Sequence, residues 1–253
     1  MKKTTYAFLV LLTMIFSFSC EDSVSDEFEN VNGDVAKKYI ESISIISAQD
    51  PIENKNISLT YDSNNRLNIV TDGSDTSIFV YENGSLSNIT GQNNNLSIET
   101  LYESPYDAFE TGHVLNYDSN GNPVKILFYA DEYNDLDEYE EVEYTAEITY
   151  DNQHNPYFYT LKAAGLIEVM DGVRFNIGMA QQASEIVQAR ALFPLNNPSK
   201  IVYKNEDGEV VNIVLVDYAY DDDDYPTSAT VTATSVEDNE TGTYSVTYQY
   251  LSL

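Results

Sequence analysis

What most limits the fold of this chain is a short unit that recurs along it: an apolar residue, one spacer, a tyrosine, an acidic or amide turn, then a new apolar run. It reads Leu59-Thr60-Tyr61-Asp62-Ser63-Asn64-Asn65-Arg66-Leu67, and again from Leu115 through Tyr117-Asp118 to Pro123-Val124. Ile148-Thr149-Tyr150-Asp151 and Ile201-Val202-Tyr203-Lys204-Asn205 follow, with shorter echoes at Tyr81-Glu82-Asn83-Gly84 and Tyr220-Asp221. Asp and Asn side chains bond their own backbone in a turn and tolerate left-handed φ; Gly84, Gly121 and Gly208 adopt it without a Cβ clash. Tyr packs its ring and keeps its hydroxyl wet. The spacing is irregular, which excludes a regular solenoid and predicts a meander of antiparallel hairpins.

The runs between the turns alternate with period two, the signature of half-buried strands. In Tyr139 to Tyr150, Val142, Tyr144, Ala146, Ile148 and Tyr150 share one face and Glu141, Glu143, Thr145, Glu147 and Thr149 the other. Ala229, Val231 and Ala233, and then Tyr244, Val246, Tyr248 and Tyr250, repeat the pattern near the end of the chain. One segment, 157–193, breaks it. There Met179 to Ala191 is rich in helix formers and predicts a helix of about three turns before Pro194, with a shorter helix over Tyr159 to Met170. The strand grammar resumes unchanged afterwards. The expectation is an all-β domain over 37–253 with one helical insertion, and 253 residues supply enough apolar material for its core.

The first residues have a different character. Lys2 and Lys3 precede an apolar run from Ala7 to Phe16 that is too short to span a bilayer, as in a secretory signal peptide. The run ends in Ser17-Phe18-Ser19-Cys20, around the only cysteine of the chain. It resembles a bacterial lipoprotein signal, with Ser17 where Leu is usual. The resemblance implies cleavage after residue 19 and a diacylglycerol on Cys20, so that the membrane is a partner through a lipid anchor. Residues 20–36 are acidic and read as a flexible tether, whose fifteen or so residues would reach roughly 50 Å when extended. Acidic residues directly after the cysteine also resemble the export signal of Bacteroides-type lipoproteins, which implies an outer-membrane protein facing the cell exterior.

Taken with the hairpins, the Asn155-Pro156-Tyr157-Phe158 entry into the insert and the Leu192-Phe193 to Asn196-Asn197-Pro198-Ser199-Lys200-Ile201 exit, this layout resembles a family of Bacteroides-type lipoproteins known as a domain of unknown function with a porin-like fold. The resemblance implies an antiparallel sheet curled into a barrel-like shape, helical material near its interior or mouth, and no assigned activity.

Charge narrows the function further. Twelve Lys and Arg against 42 Asp and Glu give a net charge of −30, which excludes the clustered cations that nucleic-acid binding requires. His113 and His154, 41 positions apart, form no recognisable zinc or triad spacing, and no phosphate-binding glycine loop occurs. No catalytic residue and no organic cofactor are expected. Two acid runs, one holding Asp131, Asp135 and Asp137 and the other Asp221, Asp222, Asp223 and Asp224, offer the clustered oxygens that Ca2+ uses. Neither has the glycine of an EF-hand loop, and the competing reading is solvated hairpin loops. With 21 tyrosines able to stack on sugar rings, the chain reads as a non-enzymatic, surface-tethered binding module with carbohydrate as one ligand class. The alternatives are a glycan hydrolase using paired carboxylates and a structural partner of another envelope protein.

Overall fold

The computed structural model describes residues 23–91, 95–98, 113–133, 139–172, 174–176, 186–188 and 193–252. The alternating runs form β1 (Tyr39–Ser47), β2 (Lys55–Tyr61), β3 (Leu67–Thr71), β4 (Thr76–Glu82), β5 (Ser85–Thr90), β6 (Asn95–Ser97), β7 (His113–Tyr117), β8 (Pro123–Tyr133) and β9 (Tyr139–His154). After the insert come β12 (Asn196–Lys204), β13 (Val210–Tyr220), β14 (Pro226–Ser235) and β15 (Glu240–Leu251), while β10 (Arg174–Asn176) and β11 (Ile186–Gln188) pair only with each other. The other thirteen make one antiparallel sheet in the order β6-β5-β4-β3-β2-β1-β15-β14-β13-β12-β9-β8-β7. β6 and β7 follow one another in the chain yet stand at opposite edges. Laid flat at about 4.8 Å per strand, those edges would be about 58 Å apart. The chain from Ser97 to His113 reaches at most about 58 Å when fully extended. A flat sheet would pull that stretch taut, and the sheet is curled instead, without closing among the described residues.

The recurring unit proves to be one turn built four times. The side-chain oxygen of Asp62 accepts from the backbone N–H of Asn64 and Arg66, that of Asp118 from Asn120 and Asn122, and that of Asp221 from Asp223 and Tyr225, all at 2.8–3.0 Å. Asn205 accepts likewise from Glu209 at 2.9 Å. The fourth residue of each turn, Asn65, Gly121, Asp224 or Gly208, is left-handed, with φ of 61°, 89°, 62° and 80°. This is a type I turn closed by a left-handed residue, and the strand pairing slips by one residue beside each copy. Three copies lie at one end of the sheet, here termed the closed end. The Asn205 copy lies at the other, the open end.

The tyrosines of the unit have a matching task. Tyr61 donates its hydroxyl to the Ile40 carbonyl, Tyr81 to Leu67, Tyr150 to Pro123, Tyr218 to Pro198 and Tyr250 to Pro226, at 2.6–3.3 Å. In every case the acceptor stands at or near the start of the preceding neighbour strand. All five hairpins are therefore tied at the closed end by a tyrosine strut, and the four whose connections are described are closed at the open end by those connections. Burial pushes the Tyr61 and Tyr81 hydroxyls up to about 12, which keeps them protonated as donors.

Two elements differ from the sequence expectation. Residues 20–36 are not a flexible tether throughout: Val24–Asn32 forms helix α1, opened by a capping box in which Ser23 and Asp26 bond each other's backbone N–H. Val24 and Phe28 are fully buried, the Val24 N–H donates to Asp171 at 2.8 Å, and Phe28 stacks on Phe158 with centroids 3.7 Å apart. Two well-placed apolar side chains anchor a segment that is otherwise polar. The insert begins with the expected helical material, as α2 (Phe158–Ala164) and α3 (Leu166–Gly172). They are divided at Gly165, whose φ of 76° disfavours any side chain and where a Cβ would stand a tight 3.2 Å from the Leu86 Cβ. The second expected helix, Met179 to Ala191, lies largely outside the described residues. Its described part, Ile186–Gln188, is a strand, in keeping with β-branched Ile186 and Val187 and the available partner β10.

The helices lie on the concave face. Ala164 and Val169 pack among Ile40, Ile43, Leu59, Leu67, Phe79, Leu86, Ala229 and Val246. A second cluster joins Val24 and Phe28 to Phe158, Tyr159, Ile167, Phe193, Leu195 and Tyr225 at the closed end. Phe28→Ala should lower the unfolding free energy by about 3–5 kcal/mol in urea titration, whereas a free tether would cost nothing. Tyr150→Phe, which strands the Pro123 carbonyl, should cost about 1–2 kcal/mol.

Candidate functional site

Among the described residues, helices fill the concave face at the closed end and none covers it at the open one. Register places the side chains of the empty part. Tyr203 pairs with Ala146 on β9 and with Asn212 on β13, Val214 with Ala233, Ala233 with Gly242, and Val231 with Tyr244. Residues paired across antiparallel strands share a face, as do residues two apart. Tyr144, Tyr203, Asn212, Val214, Ala233 and Tyr244 therefore point into one hollow, and they line a cleft of about 1080 Å³. Gly242 makes room for the Tyr244 ring, which lies 3.3 Å from where a Cβ would stand.

The rim is acidic, and no Lys or Arg lines it among the described residues. It is formed by Gln49, Asp50 and Glu53 from the connection after β1 and by Glu237, Asp238 and Glu240 from the β14–β15 turn. A one-turn 3-10 helix, Pro51–Glu53, holds the first group, with Asp50 capping it through the Ile52 N–H at 2.9 Å. Ser47 donates to Glu53 at 2.9 Å. Tyr244 also bonds Glu53, and this raises the Tyr244 hydroxyl above the ordinary tyrosine value. No His or Cys side chain lines the cleft among the described residues. What the arrangement offers is aromatic faces, an amide at Asn212 and carboxylate acceptors around the mouth, the inventory of a site that binds an uncharged polyol through stacking and hydroxyl donation.

The acid runs lie elsewhere. Asp221 opens the fourth hairpin turn and Asp224 is its left-handed residue, so half of that run is turn chemistry. Lys38 bridges Asp221 and Asp223 at 2.7 Å each and holds the Asp221 carboxyl below its usual range against the opposing effect of burial. Asp222 is exposed. Asp131 stands on β8, and Asp135 and Asp137 lie outside the described residues, as does Cys20. Among the described residues no three His, Cys, Asp or Glu side chains come close enough to hold a metal.

His113 and His154 stand on β7 and β9, two strands that do not pair with each other. His154 is 4 % exposed and its Nε2 has no hydrogen-bond partner. Its ring meets Tyr225 edge-on at 4.4 Å and the edge of Phe28 at 6.3 Å. The convergence of Tyr144, Tyr203 and Tyr244 has no trace in local sequence beyond the alternation of each strand. The register of β9, β12, β13, β14 and β15 decides which tyrosines meet.

No protein-family model matches the sequence, and no curated protein is similar to it. Solved structures show a loose likeness of shape. A porin-like protein from Bacteroides uniformis is 11 % identical over 84 % of this chain and 98 % of its own, with a TM-score of 0.37. A porin-like protein from Bacteroides vulgatus is 11 % identical over 86 % and 100 %, with a TM-score of 0.38. A domain described as belonging to an outer-membrane lipoprotein-sorting protein of Vibrio parahaemolyticus is 8 % identical over 90 % of each chain, with a TM-score of 0.29.

Burial lowers the His154 pKa below the ordinary imidazole value, Asp224 and Asp221 oppose this, and Lys38 adds to it. The folded state thus favours neutral His154. Its contribution to stability is complete above the unfolded value of about 6.5 and is lost as pH falls through the lower folded value. In urea titrations, the loss of stability between pH 7.5 and pH 5 should be smaller in His154→Phe than in the parent. Equal losses would show that His154 is not an acid-sensitive group.

Proposed function

We propose that the chain is a lipid-anchored protein of the bacterial envelope whose open-end cup binds an uncharged saccharide without cleaving it. The observation that carries the binding role is the cleft itself, three tyrosines from three different strands around one hollow, with an amide inside and five carboxylates at its mouth. Ring faces of this kind stack on the C–H faces of sugars, and the carboxylates and Asn212 accept and donate hydroxyl hydrogen bonds. The acidic rim, in a chain of net charge −30, disfavours uronates and sulfated sugars and selects for neutral ones. The basic start, the short apolar run and Cys20 support the anchor, and the acidic residues directly after Cys20 support a position at the outer membrane with the body outside the cell.

The chain lacks tryptophan, so its emission comes from its 21 tyrosines, of which Tyr144, Tyr203 and Tyr244 line the cup and respond to a ligand stacked there. Titration with a panel of neutral oligosaccharides should perturb that emission and yield a saturable affinity. Tyr203→Ala should weaken it by about 3- to 10-fold, the worth of one aromatic contact, with the fold intact by circular dichroism. Silence across the panel would count against the saccharide, and released reducing ends that vanish on substitution of a single rim carboxylate would make the protein a hydrolase. Separately, Cys20→Ala should abolish the acyl adduct seen by mass spectrometry in the processed protein.

A further inference from the structure

We propose that helix α1 clasps the closed end of the sheet against the lipid surface, so that the anchored protein stands in one orientation with its cup opening away from the membrane. This rests on the reading of Cys20 as the lipid-bearing residue. An acidic leader of some fifteen residues would let the body tumble at the end of a tether about 50 Å long. The structure shortens that tether drastically. Ser23 caps α1, the Val24 N–H is bonded to Asp171, Val24 and Phe28 are fully buried, and Asn32 at the other end of the helix is bonded to Leu195 and Asn196. Only four Cα steps separate Cys20 from Val24, a reach of about 14 Å. The acyl chains enter the bilayer at Cys20, so the part of the body that bears Val24 must lie close to the headgroups.

That part is the closed end. Val24 and Phe28 belong to the cluster formed with Phe158, Leu195 and Tyr225, whereas the cup rim lies at the opposite ends of β1, β14 and β15. β15 has 12 residues, which separates the two ends by roughly 40 Å. The ligand accordingly approaches from the side opposite the membrane, and the cup mouth stays clear of the bilayer without any long spacer.

The four-fold repetition of one turn supplies a matched test. Ser63 and Glu206 occupy the same exposed position of the same turn at opposite ends. Once Cys20 is acylated the chain has no other thiol, so Ser63→Cys and Glu206→Cys each take a single fluorescent donor. The full-length chains, processed in a lipoprotein-exporting host and reconstituted into vesicles of phosphatidylethanolamine and phosphatidylglycerol with acceptor-labelled lipid, should show several-fold higher energy transfer from position 63 than from 206. Insertion of about twelve Gly/Ser residues after Asp22, which adds some 20 Å of free reach, should largely erase the difference. Equal transfer from the two positions in acylated protein would overturn the orientation and leave the anchor standing, as would a difference that survives the insertion. A processed chain without an acyl adduct at Cys20 would overturn the anchor and the orientation together.

Discussion

The fold depends on how a hairpin can be held at both ends. A turn fixes one end of a strand pair; the other is free to fray or slip, and a slip of one residue would carry every side chain to the wrong face. Here the free ends meet at the closed end, where the tyrosine of the second strand ties its hydroxyl to the start of the strand before it, and where Asp62, Asp118 and Asp221, which open the turns between hairpins, each take two backbone N–H groups. Each bond has a net worth of only about 1 kcal/mol. Their effect comes from repetition at one level of the sheet, where five struts and three turns make the closed end a continuous hydrogen-bonded rim.

That rim explains where the helices can sit. α2 and α3 press Ala164 and Val169 into the concave face, and Tyr81 extends its strut to the α2 carbonyls of Ala163 and Ala164. A buried amide cluster completes the joint. Asn122 accepts from the backbone N–H of Leu195 and Asn196 at 2.7 and 3.0 Å and donates to the Asn196 side chain, which in turn donates to Asn32 of α1. One turn of the sheet, the exit of the insert and the N-terminal helix are thereby fastened at a single point. Buried amides require such complete pairing, and a broken member would leave the others unpaired in a dry site.

Legibility in the sequence follows the range of the interactions. The turns were readable because Asp, Asn and Gly act within five residues, and the strands because alternation is local; the single β domain with helical material after Asn155-Pro156 follows from these. The porin-like expectation of a curled antiparallel sheet agrees with the sheet found. Helix α1 escaped notice because its acidic surface masks Val24 and Phe28, although the Ser23-x-x-Asp26 capping pair was there to be read. The strand at Ile186–Gln188 shows local helix propensity yielding to pairing with a neighbour. The cup was illegible for a different reason. Tyr144, Tyr203 and Tyr244 meet only because the register of five strands, β9, β12, β13, β14 and β15, brings them together, and no window of sequence contains that information.

The acidity of the chain takes its place in the same arrangement. At −30 the body repels itself, and some of its few cations stand between or beside carboxylates. Lys38 separates Asp221 and Asp223, and Glu147 on β9 lies between Lys125 of β8 and Lys204 of β12. Such exposed pairs contribute little stability each. They do fix which side of the sheet is neutralised. The Glu147 group lies on the convex face and Lys38 at the closed end, and none of the ion pairs among the described residues reaches the five carboxylates of the cup rim. Open space, aromatic faces and oxygen acceptors coincide at the open end, which is what the proposed binding role rests on, and the hydrogen-bonded rim opposite holds the strands that bring them together.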